Sequence, residues 1–389
     1  MNFNFPTLKD EKEILKQIKP ILNKIKPLKT ELLIGGSFAK HTWLKDNYDL
    51  DIFIRFPKSS NTEKISEILH KHLKKKFKKI EVLHGSRDYY RIIQKPFSFE
   101  IVPIIKINKS SEAKNITDIS PLHVTWVNKH ISTEKLSNEV RKAKLFCKAN
   151  NVYGAESFIK SFSGYSLEIL ISKYKSLENL LKNALKWKIG DRIDLEKHGI
   201  KSLNHSKLSP LIIIDPVQYD RNAAAALSQE KFLEFKKIAE SYLKKPSDEF
   251  FIEKKVDDSK YNLIIKAIPL ERKEDVAGAK ALKAFEFILR KLREFKVLKS
   301  EWRFSEKEAL FYISIKNKEI PKKVLIFGPP LKLTEHAFAF KKKHKSTFEK
   351  NKRLCTYLKR KQTSLKDILN TILRDNYLKD KVLNLKQIK

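Results

Sequence analysis

The sequence predicts an α+β protein, and three patterns predict it. "DLDIFIRF" and "FSFEIVPII" carry strand-like apolar spacing within the first ~125 residues, among flanking helical stretches. From Thr133 the apolar residues recur at helical spacing instead. From about Lys254 a strand, a helix and two further strands follow, which is a small β-α-β-β unit. The shifts divide the chain into 1–128, 129–252 and 253–389.

In order, residues 8–27 form a helix with Ile14, Ile18, Ile21, Leu22 and Ile25 on one face. "ELLIGG" is a strand ending in a turn, and "DLDIFIRF" pairs with it. "NTEKISEILHKHLKKKF" is a helix, on which His70 and His72 diverge and make a poor metal pair. "KIEVLHG", "YYRIIQ" and "FSFEIVPII" are three short strands. "NEVRKAKLFCKANN" is a helix ending at the turn "VYGAE". "SGYSLEILISKYKSLENLLKNALKW" reads as one long helix entered through Ser163 and Gly164. "PLIIIDP" is a buried strand, and "RNAAAALSQEKFLEFKKIAESYL" a helix with Asn222 as its N-cap. "KYNLIIKAI" is a strand, and the helix "EDVAGAKALKAFEFILRKLREF" turns Leu282, Phe285, Leu289 and Leu292 inward. "SEWRFS" and "ALFYISIKN" form a strand pair. Trp126, Trp187 and Trp302 read as core or rim.

Hydrophobic residues make up 41% of the 389, enough for folded domains rather than disorder. No apolar run approaches the roughly 20 residues of a membrane helix. The start lacks the apolar segment of a secretory signal, and Cys147 and Cys355 lie far apart outside any CxxC, so the expectation is a reduced, cytoplasmic protein. Lys and Arg number 82 against 46 Asp and Glu, a formal charge of +36. That excess favours a polyanionic partner, because each neutralised phosphate releases condensed counterions.

Against that charge, Asp49 and Asp51 sit one residue apart on a strand. Residues i and i+2 share a face, so both carboxylates point the same way while Leu50, Ile52, Ile54 and Phe56 face the core. Two neighbouring carboxylates repel each other unless cations lie between them, and hard oxygen donors suit Mg²⁺. Upstream, Gly35, Gly36 and Ser37 form a turn whose backbone N–H groups can cradle an anion. A phosphate cradle beside a carboxylate pair is a nucleoside triphosphate site, with neither the P-loop nor the dinucleotide fingerprint present. Glu100, between Phe99 and Ile101, is the candidate third metal acid, or else an edge-strand glutamate facing water.

The stretch "GGSFAKHTWLKDNYDLDIFI" resembles the signature of polymerase-β-type nucleotidyltransferases. The blocks "FEIVP", "PLHVTW", "EVRKAKLFCKANNVYGAE", "FSGYSLEIL", "DPVQYDRNAAAALS" and "GPPL" resemble, in order, those of archaeal-type (class I) CCA-adding enzymes. The likeness runs from about residue 8 to about 370, and the R-R-D-F-T block of the bacterial-type enzymes is missing. It implies a polymerase-β-like head, a helical neck that recognises the base and an α+β body that grips RNA. It further implies addition of C, C and A to the tRNA 3′ end from CTP and ATP with two Mg²⁺ ions, contact with the tRNA upper arm, and a homodimer. Asp49, Asp51 and Glu100 fall on the family's metal carboxylates. Ser37 and Lys40 fall on nucleotide-contacting positions, with Gly36 in the same turn. His123, Lys144 and Tyr153 fall on positions touching triphosphate or sugar, and Arg221 on the arginine that reads the base edge. Without the resemblance, His123 reads as a core histidine, Tyr153 as a buried aromatic and Arg221 as a residue preceding a helix.

Two departures stand out. The third carboxylate is usually Asp in the family, and Glu100 moves its oxygens by about an ångström. The C-terminal part is short after "GPPLKLTEHAFAFKKKHK", leaving Phe338, Phe340, His344 and the lysines 341, 342, 343 and 345 as candidates for RNA contact. A poly(A)- or uridylyl-type terminal transferase, and an RNA-binding relative with a decayed site, are the alternatives.

Overall fold

The structure is a computed structural model that describes residues 3–45, 48–199 and 203–389, the side chain of residue 205 excepted. The chain forms two compact units, Met1–Lys254 and Lys255–Lys389.

The first unit opens with α1 (Leu8–Ile25), started by a reciprocal capping box between Thr7 and Asp10. Then come β1 (Glu31–Ile34), α2 (Gly36–Ala39), β2 (Asp49–Phe56), α3 (Ile65–Lys74), β3 (Glu81–Leu83), β4 (Tyr89–Gln94) and β5 (Phe97–Ile105). These strands make one sheet in the order β1-β2-β5-β4-β3. The β2–β5 pair is parallel and the others are antiparallel. Leu50, Ile52, Ile54 and Phe56 face the core with Ile14, Ile18 and Ile25 of α1 and Leu69 and Leu73 of α3, as the period-2 pattern requires. On the opposite face, Phe53, Val102 and Ile104 form a small apolar cluster of their own.

The helical part follows: α4 (Ser120–His130), α5 (Glu134–Ala149), α6 (Gly164–Tyr174), α7 (Leu177–Ala184), β6 (Asp191–Ile193), β7 (Leu211–Asp215), β8 (Gln218–Asn222) and α8 (Gln229–Lys244). β7 is buried along its whole length between parallel β6 and antiparallel β8. Phe146, Phe162, Leu170, Leu181, Trp187 and Phe235 centre the core. Val217 packs against this core and against that of the sheet.

Three expectations are corrected. The helix expected over "NTEKISEILHKHLKKKF" is shorter than its pattern: α3 runs from Ile65 to Lys74, so Lys75 to Lys79 lie beyond it. The long helix after Ser163 is two helices. Lys175 adopts φ 67°, and the Ser176 side chain accepts the Asn179 N–H to restart the chain as α7. Asn222 caps no helix. It ends β8, 4% exposed, with its amide oxygen accepting from the N–H groups of Ile213 and Ala224, and Ser228 caps α8 instead. A buried asparagine satisfied by these N–H groups outweighs the helix propensity of the alanines after it.

The second unit holds β9 (Leu263–Pro269), α9 (Glu274–Leu292), β10 (Val297–Phe304) and β11 (Ala309–Ile315), the expected β-α-β-β. Then come β12 (Lys323–Pro330), α10 (Thr334–Lys343), β13 (Phe348–Lys350), β14 (Arg353–Lys359), α11 (Leu365–Leu373), α12 (Asn376–Lys379) and β15 (Val382–Gln387). The main sheet runs β10-β11-β9-β15, and β12-β14-β13 form a second. Ala281, Phe285, Ile288 and Leu292 are the buried seam of α9, with Leu282 and Leu289 on its flanks. Phe338 is 72% exposed, whereas the Phe340 ring lies over Gly328 and beside His344. Among the described residues no helix is long and apolar enough to cross a membrane.

Candidate active site

The register sets the acidic face. Asp51 pairs with Glu100 across β2 and β5, and Asp49 pairs with Ser98 one pleat away. The three acids therefore share a face. Gly36, at φ 57°, comes so close to Asp51 that a Cβ there would lie 1.6 Å from Oδ2, so only glycine fits. The Gly35 N–H donates to the Asp51 carbonyl oxygen at 2.7 Å, locking the Gly35–Ser37 turn to β2. Burial pushes the Asp51 carboxyl up, Glu100 and Asp49 push it further and Lys40 opposes them, leaving it at about 6. Glu100 accepts from Arg91 Nη2 at 3.0 Å, which draws it along β4. Among the described residues no three His, Cys, Asp or Glu side chains are gathered as a finished ligand set. The donors nonetheless fit a hard divalent cation: they are carboxylate oxygens whose mutual repulsion raises Asp51.

Next to this face, the loop Lys40–Trp43 is gripped from two sides. His41 Nδ1 and Trp43 Nε1 reach Glu11 of α1 at 2.6 and 3.0 Å, and Arg141 Nε donates to the Trp43 carbonyl at 3.0 Å. Lys40 and Thr42 turn the other way, to Glu168 of α6, at 2.9 and 2.6 Å. Lys144 of α5 joins them, donating to Glu168 Oε1 at 3.1 Å, to Thr42 Oγ1 at 2.9 Å and to the Thr42 carbonyl at 3.0 Å. Glu168 is 1% exposed. Burial alone would raise it, but Lys40, Lys144 and the Thr42 hydroxyl hold it at about 2. Burial lowers Lys144 in turn. The Tyr153 hydroxyl and the Lys144 amine both lie close to Gly164, and Lys148 sits over the Tyr153 ring.

A second buried carboxylate organises the far side. Asp215 ends β7 and is fully buried. Its Oδ2 accepts from Arg221 Nη1 at 2.7 Å and from His123 Nε2 at 3.0 Å. Its Oδ1 accepts from the Tyr165 hydroxyl and the Val217 N–H, both at 3.0 Å. Burial would raise Asp215, yet His123 and Arg221 hold it at about 2. Burial also lowers His123, and Asp215 opposes that. The Tyr165 ring joins the two carboxylate groups, with Lys40 4.7 Å and Arg221 5.9 Å from its centre and His123 4.4 Å away.

Of the residues singled out in the sequence, Lys40, His123, Lys144, Tyr153 and Arg221 thus converge, and Lys40 also acts on Asp51. Gly36 and Ser37 lie in α2 against β2. Glu100 is turned to Arg91. The sequence reading missed Glu168, Asp215, Thr42 and Tyr165. The available signal was a lone acid inside each of two apolar runs, "GYSLEILIS" and "LIIID".

Three family models match: the nucleotidyltransferase domain over residues 15–123, the second domain of tRNA nucleotidyltransferase over 138–252, and the C-terminal domain of the CCA-adding enzyme over 279–381. The CCA-adding enzyme of Methanocaldococcus jannaschii is 32% identical over 89% of this chain and 81% of its own. That of Nanoarchaeum equitans is 41% identical over 64% of this chain, which spans 64% of that relative's length. That of Methanosarcina acetivorans is 30% identical over 79% of this chain and 71% of its own. Among solved structures, a cytoplasmic RNA terminal U-transferase covers 65% of this chain and 95% of its own at 14% identity and a TM-score of 0.48. Nucleotidyltransferases of this superfamily generally use divalent metal ions. On the match along most of both chains, this chain belongs to the archaeal-type CCA-adding enzyme family.

Proposed function

We propose that the chain adds C, C and A to the 3′ end of tRNA without a template, using CTP and ATP and releasing pyrophosphate. The observation that carries this reading is the cluster of Lys40, Lys144, His123 and Arg221, fixed by two buried carboxylates beside the Asp51 face. Residues 1–128 act as catalytic head, 129–252 as the base-recognising neck and 253–389 as the RNA-gripping body. Asp49, Asp51 and Glu100 hold two Mg²⁺ ions. When bound, these supply Lewis acidity toward the attacking 3′-hydroxyl and the leaving pyrophosphate. The Gly36–Ser37 turn cradles phosphate oxygens, as successive backbone N–H groups do. Lys40 and Lys144 offset the charge that builds on the leaving group. His123 and Tyr153 contact triphosphate or sugar, and Arg221 presents its planar fork to the base edge. Glu168 supplies the counter-charge that both lysines need in a buried place. The high positive charge gathers tRNA. We place the enzyme in the cytoplasm, as a homodimer that contacts the tRNA upper arm.

The test is tRNA lacking its last three nucleotides, incubated with each nucleotide alone and then with pairs. CTP alone should give two additions and stop, and ATP should add once after them. Long homopolymer tails from ATP or UTP alone would mean a poly(A)- or uridylyl-type enzyme. No addition with Mg²⁺ present would mean a decayed, RNA-binding relative.

A further inference from the structure

Asp215 lies outside the acidic face and, being fully buried, cannot touch a nucleotide. It ends β7, a strand with every residue buried, so its position is fixed by the core. Its two oxygens accept four donors from four elements: Tyr165 of α6, Val217 of the following turn, His123 of α4 and Arg221 of β8. Arg221, by contrast, is on a short edge strand with a side chain 33% exposed. Its Nη1 bonds Asp215 and its guanidinium lies 5.9 Å from the centre of the Tyr165 ring, while Nε and Nη2 have no acceptor among the described residues. An arginine side chain has many rotamers, so a fork left to itself would not hold one orientation toward a base edge. Here one nitrogen is held and the others are left to a ligand. The same carboxylate oxygen meets His123 Nε2 at 3.0 Å and so orients the imidazole ring.

We propose that Asp215 is the positioning residue for nucleotide selection: it holds the Arg221 fork and the His123 ring as one unit, so that the choice of base depends on a carboxylate buried behind them. The role rests on the reading above that Arg221 faces the base. Tyr165 and the Val217 N–H share in it, since they orient the carboxylate through Oδ1 and leave Oδ2 for Arg221, which reads the base, and for His123 beside it.

The experiment compares CTP and ATP with UTP and GTP as substrates on tRNA lacking CCA, for the full chain and for Asp215→Asn. The expected result is a tenfold or greater fall in preference for CTP over UTP, a raised KM for CTP and ATP, and an unchanged KM for tRNA. In an Arg221→Ala background the same substitution should cause no further loss of preference, because both act through one guanidinium. An unchanged CTP-to-UTP ratio in Asp215→Asn, with only a lower melting temperature, overturns the role and leaves Asp215 a core ion pair. Additive losses in the double variant overturn it as well. If Asp215→Asn does not fold, Tyr165→Phe takes its place, with a several-fold fall in the same ratio expected and an unchanged ratio counting against the role. No addition by the unmutated chain overturns the functional reading, and this role with it.

Discussion

Three buried or half-buried carboxylates in the first unit behave in opposite ways. Glu168 and Asp215 are surrounded by cations and donors and sit at about 2. Asp51 is flanked by Glu100 and Asp49, with Lys40 opposing them, and is pushed up to about 6. Burial acts upward on all three, so the neighbours decide the sign. Glu168 and Asp215 are electrostatically complete without a ligand and hold other residues in place. Asp51 is short of positive charge, which is the condition of a cation site.

The largest predicted difference follows from that contrast. Asp51→Ala should reduce nucleotide addition roughly 10³-fold or more, the scale lost when a charge-stabilising group is removed from a reacting centre. It should leave tRNA binding and the fold of the first unit intact, since it removes repulsion rather than a partner. Melting curves and gel-shift titration beside the addition assay separate these readouts, and unfolding of the variant would contradict the account.

Glu168→Gln should do the reverse. It leaves Lys40 and Lys144 buried without their counter-charge. Breaking one side of a buried ion pair costs about 3–5 kcal/mol. In a unit of this size that is roughly 6–20 °C of melting temperature. Loss of activity with no loss of stability would show that Glu168 acts as a site residue rather than as the anchor of the two lysines.

How far the site could be read from the sequence follows the same divide. The β2 carboxylates were legible because a strand's period is short and strict: Asp49 and Asp51 on one face and Leu50, Ile52, Ile54 and Phe56 on the other declare themselves within eight residues. The sheet, α1 and the β-α-β-β unit were legible because their apolar residues recur at the local period of a strand or a helix. Glu168 and Asp215 were not, because their partners are remote in sequence; Lys40 meets Glu168 across 128 positions. The break at Lys175 and the role of Asn222 were hidden likewise. One depends on a left-handed residue without glycine, the other on a tertiary bond to Ile213.

The two kinds of carboxylate should also titrate with opposite signs. For Glu168 and Asp215 the folded values lie below the unfolded ones, so the unfolded chain binds more protons in the window between about 2 and the ordinary carboxylate range. Their stabilisation is full above that window and is lost as pH falls through it. For Asp51 the folded value, about 6, lies above the ordinary 3.8, so the folded chain binds the extra proton and stability falls as pH rises between them. In metal-free protein, Asp51→Asn should flatten the stability curve between about pH 4 and 6 and leave the acid limb unchanged. Adding Mg²⁺ to the unmutated chain should flatten the same region by binding the charged form. A curve that is the same in Asp51→Asn and the parent, with and without the metal, would remove the contrast.

The smallest effect concerns Glu100, which stands between the two classes. Its side chain is 31% exposed and it is paired with Arg91, itself 3.6 Å from Glu81. On the proposed role a cation would compete with Arg91 for it, and an ion pair this exposed is worth about 0–1 kcal/mol. Arg91→Gln should therefore lower the Mg²⁺ concentration needed for half-maximal addition by up to about fivefold, the equivalent of that energy. Glu100→Asp shortens the arm away from Arg91, so in that background Arg91→Gln should have little effect. If Arg91→Gln instead raises the Mg²⁺ requirement in both backgrounds, Arg91 supports the site rather than competing with it, and the extra methylene of Glu100 is there to reach Arg91.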